Sequence, residues 1–184
     1  MSWKAQPASY LPQIYATAGG NAKQWQQIAL YSNAHQMMLI ANDYYFNLIT
    51  DQEIISKLTP LEKQKMLKSE INELDKYVQK TSSACIEYIK KLLELEYLIS
   101  QKKHDKTIEL CHSTVEFLNK HKYIYRDAWM GLAYDNTSMC QVYNHNYAAA
   151  LASSKKAQTY YPDKSSSILA SKQQEFYALF YSEQ

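Results

Sequence analysis

The residues able to do acid, base, nucleophilic or metal chemistry are few, and their spacing does not assemble a known site. Five histidines occur, and none lies in a zinc-binding spacing such as H-E-x-x-H. His104, Cys111 and His112 would fall on neighbouring helical turns and could form a fortuitous metal ligand set. Cys140 with His145 could form a thiol nucleophile and its base. We favour structural or surface roles for both sets, and predict no catalytic residue, no metal and no cofactor.

The remaining chemical signals also favour a protein that is not an enzyme. Acidic pairs such as Glu70 with Glu73, and Glu94 with Glu96, have lysines nearby and are typical of solvated ion pairs. Only three glycines are present, so the sequence offers no glycine-rich phosphate loop. Three cysteines without a C-x-x-C pair favour buried free thiols over a disulfide framework. We therefore predict a non-enzymatic protein of the cytoplasm.

Composition narrows the fold and the classes of partner. Apolar residues make up 46% and charged residues 21% of the 184 residues, as in soluble globular proteins. Three Gly and four Pro are too few turn residues for an all-β protein, so we predict an all-α fold. A net charge of +2, with both signs interspersed, argues against nucleic acid as a partner. No apolar run approaches the ~20 residues of a membrane-spanning helix, and no secretory signal is visible, so no membrane partner is expected.

Residues 1–58 are predicted to form N-terminal helices packed on the rest of the chain. A short helix is expected between Ser9 and Ala18, and a long one from Ala22 to Ile49, with Asn21 as its N-cap. Apolar side chains recur at helical spacing in the long segment, which contains only two charged residues. Such a helix should be buried on more than one side or should meet a partner.

The next segment, residues 59–101, opens with the strongest local signal in the sequence. Thr59-Pro60-Leu61-Glu62 combines an N-cap, a proline at the first helical position and a capping box. Apolar residues then alternate by four and three, which predicts a heptad seam and nearly parallel helices crossing at ~20°. Three poor helix formers, Thr81-Ser82-Ser83, interrupt it, so one long helix and two helices in line are both compatible with the pattern. The seam consists of Leu67, Ile71, Leu74, Val78, Thr81, Cys85, Tyr88, Leu92, Leu95 and Ile99.

Towards the C-terminus the sequence carries a helix-turn-helix pattern that occurs twice. In the second copy, the turn Asn144-His145-Asn146 precedes a helix with Ala150 and Ala157 two turns apart on one face. In the first copy, Thr107 and Thr114 occupy the same offsets, 43 residues earlier. Small residues at these points let a second helix approach closely.

This pattern resembles the tetratricopeptide repeat (TPR) family, whose antiparallel helix pairs carry small residues at two fixed points of the second helix and a proline after it. The resemblance covers about residues 88–184 and implies helix pairs stacked as a short right-handed solenoid. The 43-residue spacing exceeds the usual ~34, which implies longer helices. In the first helix only Ser138 fits the family pattern, and the earlier copy has Leu95 and Asn119 at the small and proline positions. The matching residues of the second unit are Tyr147, Ala150, Leu151, Ala157 and Pro162.

The last predicted helix is capped by Asp163 or by a neighbouring serine and carries several aromatic residues. It takes the place of the first helix of a third unit. It is therefore either a terminal capping helix or a sign that the chain was cut from a longer array. We predict a single all-helical domain over residues 1–184, with N-terminal helices at 1–58, the capped segment at 59–101, and TPR-like pairs with the terminal helix at 102–184.

The resemblance also implies where a partner would bind. In TPR arrays, ligand peptides usually lie along the concave surface made by the first helix of each unit. Since Asp135 places a negative charge where carboxylate-binding members carry positive ones, a basic or tyrosine-accommodating segment is the expected ligand. The 17 tyrosines also suit a half-wet binding surface. The implied binding residues of the second unit are Trp129, Leu132, Asp135, Asn136, Met139 and Tyr143.

Taken together, these features favour a non-enzymatic scaffold that binds a protein or peptide on a concave helical-repeat surface. The alternative is the ligand- or peptide-sensing half of a bacterial regulator, in which such a groove relays binding to a separate output domain. The identity of the partner and the oligomeric state are left open, and a homo-oligomer is compatible with the sequence.

Overall fold

The computed structural model describes residues 57–81, 84–121, 126–162 and 165–183, and all regular secondary structure in these ranges is α-helical. The predicted all-α class is thus confirmed for this part of the chain. The N-terminal helices predicted within residues 1–56 lie outside it. No helix in the described ranges has both the length and the apolar character needed to cross a bilayer. The helices are α1 Pro60–Thr81, α2 Ala84–Ser100, α3 His104–Lys120, α4 Arg126–Tyr143, α5 Tyr147–Gln158 and α6 Ser166–Ser182.

Contacts divide the chain into two compact units, Met1–Glu94 and Leu95–Gln184. The boundary falls inside α2, so the two ends of that helix belong to different units. A single domain over residues 1–184 stays a prediction.

Helix α1 begins with the predicted capping box. The Thr59 amide donates to Glu62 Oε2 at 2.8 Å, and the Glu62 amide donates to Thr59 Oγ1 at 3.3 Å. The Thr59 hydroxyl, followed by its amide, holds the pKa of Glu62 below its ordinary value because both bonds favour the carboxylate. The start of this helix is therefore determined by four consecutive residues.

Helices α1 and α2 turn back on each other. Lys90 Nζ lies 2.6 Å from Asp75 Oδ1 and 3.4 Å from Glu94 Oε1, and the bond to Asp75 is the main reason that the pKa of Lys90 is raised. In one straight helix, or in two helices in line, Asp75 and Lys90 would lie about 22 Å apart, beyond the reach of their side chains. Of the arrangements left open by the sequence, the structure has two helices, and they do not run in line.

The predicted seam contributes most of the buried face of these two helices. Helix α2 also buries Ile86, Ile89 and Leu93, which lie outside the seam. Its apolar face is therefore wider than the two-position stripe of a coiled coil. The seam residues that are buried are Leu67, Ile71, Leu74, Tyr88, Leu92 and Leu95.

In the second unit, each helix packs on the next one along the chain. Helix α3 packs on α4, α4 on α5 and α5 on α6, and α6 also contacts α4. A small core joins the end of α2 to α3 and α4 through Leu95, Cys111 and Ala133. Ile99, Leu110 and Val115 pack against this core.

The turns after α2 and after α4 have the same backbone geometry, 43 residues apart. Lys102 and His145 adopt positive φ angles of 56° and 59°. The next amides, of Lys103 and Asn146, donate to the carbonyl oxygens five residues earlier, at 3.1 and 2.8 Å. Both helices therefore end in a Schellman-type turn made by non-glycine residues.

Helix α5 carries small residues where its neighbours cross it. Ala150, Ser154 and Ala157 are completely buried, which confirms the predicted burial of the two alanines. The Ser138 hydroxyl of α4 donates to the Ala150 carbonyl at 2.8 Å, and the Ser171 hydroxyl of α6 donates to the Ser154 carbonyl at 2.9 Å. So short a side chain reaches a neighbouring backbone only where the helices approach closely.

Candidate functional site

The predicted binding residues of α4 share one side of the helix but differ in exposure. Positions 129, 132, 136, 139 and 143 alternate by three and four, so they form one stripe. Trp129 is buried, Leu132, Asn136 and Met139 are half-buried, and Tyr143 is 61% exposed. The stripe offers apolar surface that is greatest at Tyr143, and its part in binding stays a prediction.

Asp135, the sixth predicted binding residue, is engaged within the unit. Its Oδ2 accepts a hydrogen bond of 2.8 Å from the hydroxyl of Tyr161, which follows α5. The Tyr161 ring lies against Gly131, one turn before Asp135 on α4. A Cβ at Gly131 would come within 2.5 Å of two ring carbons. The missing side chain at Gly131 therefore gives the ring the space it needs to reach Asp135.

The hydrogen bond between Tyr161 and Asp135 determines where the negative charge of the predicted site is directed. Burial raises the pKa of Asp135, and the hydroxyls of Ser171 and Tyr161 oppose that rise. Burial and the Asp135 charge also raise the pKa of Tyr161, so its hydroxyl stays protonated and remains a donor. Asp135 Oδ1 is buried and has no well-formed hydrogen bond among the described residues, and the single hydroxyl proton of the nearby Ser171 points to the Ser154 carbonyl. The negative charge thus faces Tyr161 rather than an incoming ligand.

Aromatic rings gather at the end of the second unit where α3 and α5 begin and α4 and α6 end. The rings of His104 and Tyr143 lie 4.8 Å apart between centroids. His145 Nδ1 lies 2.8 Å from the Tyr147 hydroxyl, and Tyr147 stacks on Tyr181 with centroids 6.1 Å apart. Aromatic residues are enriched in the cores of protein–protein interfaces.

The most extensive exposed apolar surface in the described residues lies on α6. Leu169, Phe176 and Phe180 recur after seven and four residues and form one stripe, opposite the buried Ser171 and Ala178. Sequence reasoning placed aromatic residues on this helix but left them out of the binding site. The available signal was their 3.6-residue spacing. Three further exposed residues flank the stripe, namely Tyr177, Leu179 and Tyr181.

Two of the three cysteines are buried free thiols, as predicted. Burial raises the pKa of Cys111 to about 12 and that of Cys140 to about 11, and the hydroxyls of Thr137 and Thr107, respectively, oppose the rise. A thiol with so high a pKa is a poor nucleophile and a poor metal ligand at neutral pH. The side chain of Cys85 lies outside the described residues.

The structure does not assemble either of the chemical sets considered from the sequence. His145 bonds with Tyr147, while the Cys140 thiol lies beside Thr107. Among the described residues, no group of three or more His, Cys, Asp or Glu side chains is placed to hold a metal ion.

Comparison of the chain with protein-family models, with curated proteins and with solved structures found no match. Its function is therefore inferred from its own residues and their geometry.

Replacing Gly131 by Ala should destabilise the protein, although a helix interior normally favours Ala by about 1 kcal/mol. The new Cβ displaces the Tyr161 ring and breaks its bond to Asp135, at a cost of about 1.5–3 kcal/mol for a hydrogen bond to a charged group. We expect a net loss of about 1 kcal/mol in urea unfolding. In a Tyr161→Ala background the same change should be stabilising, because the obstructing ring is gone. Stabilisation in both backgrounds would show that the ring does not depend on Gly131.

The raised pKa of Asp135 predicts a pH dependence of stability. Because folding raises this pKa, the protonated form of Asp135 favours the folded state. That contribution to the free energy of unfolding is complete below the ordinary Asp pKa of 3.8 and is lost as pH rises through the higher folded-state pKa. Asp135→Asn should therefore be more favourable relative to wild type at pH 7 than at pH 4, since Asn cannot ionise but can still accept from Tyr161. Free energies of unfolding of both proteins across this range test the sign. A difference that grows as pH falls would contradict it.

The thiols of Cys111 and Cys140 should resist alkylation in the folded protein. At pH 8, pKa values of about 12 and about 11 leave at most about one thiol in a thousand as the reactive thiolate. Iodoacetamide labelling followed by peptide mass spectrometry should find both unmodified in buffer and both modified in urea. Equal labelling rates in the two conditions would show that the sites are open to solvent.

Proposed function

We propose that this chain is a non-enzymatic helical scaffold that binds another protein or peptide, and that its second unit is a TPR-like array of helix pairs. The observation that carries the proposal is the apolar face of α6, which is turned away from α5. Monomeric proteins seldom leave so large an apolar patch in water unless it binds something. The exposed Tyr143 at the end of the α4 stripe adds to this surface.

Several details support the repeat arrangement. Thr107 and Ala150, at equivalent positions of the two copies, are both completely buried. The copies also share the Schellman-type turn that precedes these residues. Ser138 and Ser171, 33 residues apart, each donate a hydrogen bond to a backbone carbonyl of α5, and this spacing is near the ~34 residues of a TPR unit.

The character of the partner follows from which groups remain available. The Asp135 carboxylate is already bonded to Tyr161, so it offers little attraction for the basic segment expected from the sequence. The large hydrophobic side chains that are exposed in the second unit lie on α6 and at Tyr143. We propose that the partner presents an apolar helix or segment rather than a cluster of charges, since desolvated aromatic residues contribute most of the binding energy at interfaces.

Site-specific photo-crosslinking tests this function. A photoreactive amino acid is placed at Phe176, at Tyr143, or at Leu61 as a matched control, because Leu61 on α1 and Phe176 are both 60% exposed. In the cells that make the protein, position 176 should form discrete protein adducts that mass spectrometry can identify. Position 143 should do so if the α4 stripe takes part. Indistinguishable adducts at positions 176 and 61 would reject the binding function of α6.

A further inference from the structure

We propose that the carboxyl group of Asp135 is a proton-dependent switch for the attachment of α6 to α5. In the protonated form Asp135 donates to the Ser171 hydroxyl, which in turn donates to the Ser154 carbonyl and joins α6 to α5. In the ionised form the carboxylate takes the Ser171 proton, and the bond between these two helices is lost. The switch lies within the packing of the second unit, so it does not depend on what the face of α6 binds.

The switch follows from the number of donors around the Asp135 carboxyl group. Its Oδ2 accepts from the Tyr161 hydroxyl at 2.8 Å, and this donor is permanent because the raised pKa of Tyr161 keeps the hydroxyl protonated. Its Oδ1 is buried, and the Ser171 hydroxyl lies nearby. A hydroxyl carries one proton, and that of Ser171 goes to the Ser154 carbonyl at 2.9 Å. An ionised carboxylate therefore leaves two buried acceptors, Oδ1 and the carbonyl oxygen, in competition for one proton.

A proton on Oδ1 satisfies every member of this network. The carboxyl group then donates to the Ser171 oxygen, and the proton of Ser171 stays on the Ser154 carbonyl. A chain of two hydrogen bonds thus runs from α4 through α6 to α5. Both serines are completely buried, so bulk water supplies no substitute donor and an unpaired acceptor here is costly.

Ionisation changes the acceptor of the Ser171 hydroxyl. A hydrogen bond to a carboxylate is roughly twice as strong as one between neutral groups, so the proton turns to Asp135. The Ser154 carbonyl tolerates this loss, because it lies four residues before Gln158 in α5 and accepts from that amide within the helix. Through Ser171, α6 is then bonded to α4 alone, whereas the protonated form joins it to both helices.

The network is separate from the charges of the surrounding helices. Glu175 on α6 is already engaged, since its Oε2 accepts from Gln158 at 2.8 Å and its Oε1 lies 3.9 Å from Lys155 Nζ. Helix α3 packs on the opposite side of α4, where it places the neutral thiol of Cys111. Burial is the main reason that the pKa of Asp135 is raised, and hydroxyl groups oppose the rise. The titratable side chains that adjoin the network are Tyr134 on α4, Lys155 on α5, Tyr161 after α5, and Lys172 and Glu175 on α6.

Nuclear magnetic resonance of the full-length chain tests the switch, because the shift of a carbonyl carbon reports the hydrogen bonds that its oxygen accepts. As pH rises above the ordinary Asp pKa of 3.8, the Ser154 carbonyl resonance should move upfield with the same midpoint as the carboxyl resonance of Asp135. The Ala150 carbonyl is a matched internal control, since it accepts from the Ser138 hydroxyl at 2.8 Å on the same helix. Its resonance should stay in place.

Three variants assign the change to its residues. Asp135→Asn keeps an oxygen for Tyr161 and gains an amide donor for Ser171, so it mimics the protonated form. Its Ser154 resonance should stay at the low-pH position at every pH. Ser171→Ala removes the hydroxyl, so the same resonance should stay at the high-pH position. Glu175→Gln should titrate like wild type, because Glu175 is not part of the network.

Amide hydrogen exchange measures the effect on α6. Above the transition, α6 amides of wild type should exchange about fivefold faster than those of Asp135→Asn at the same pH, the effect of one neutral hydrogen bond. Below the transition the two proteins should exchange alike. A Ser154 resonance that does not follow Asp135, that moves together with Ala150, or that titrates in Asp135→Asn would overturn the switch. Equal exchange at every pH would overturn its effect on the attachment of α6.

Discussion

The arrangement of the second unit depends on the small size of the α5 side chains that face the neighbouring helices. Ala150, Ser154 and Ala157 leave the α5 backbone accessible on both sides, and the hydroxyls of Ser138 and Ser171 bond directly to its carbonyl oxygens. Each such buried bond contributes about 1 kcal/mol to the free energy of unfolding. It also fixes the distance between the helices, because a serine side chain can reach a neighbouring backbone only at close range. A larger residue at any of these points would separate the helices and remove both kinds of stabilisation.

The Tyr161 contact is a consequence of that close packing. Tyr161 follows α5 directly, so the position of α5 against α4 decides where the ring can lie. Gly131 provides the space, and Asp135 provides the acceptor one turn further along α4. The same contact removes the carboxylate from the surface. The exposed stripe of α6 and the exposed end of the α4 stripe at Tyr143 are mainly apolar and aromatic, so burial of apolar surface would favour binding there.

Features that depend on neighbouring residues were predictable from the sequence, and those that depend on distant pairs were not. The capping box at Thr59 and the paired alanines of α5 can be recognised from residues that lie within a few helical turns of one another. The pairing of Asp75 with Lys90 requires a reversal of the chain that the heptad pattern does not specify, because a seam of this kind suits both straight and folded-back helices. Asp135 and Tyr161 are 26 residues apart, and the one local hint was Gly131, since a glycine inside a helix often marks a close approach.

The two sequence interpretations of α6 differ in the surface that they require. A helix that caps an array needs a polar outer face, because that face is permanently in water. The outer face of α6 instead carries Leu169, Phe176 and Phe180. Helices α3, α4 and α5 are each covered by the next helix along the chain, whereas the apolar stripe of α6 is exposed. Burial of one apolar face against the next helix stacks α3, α4 and α5, and the outer face of α6 is where that pattern stops with apolar side chains still exposed.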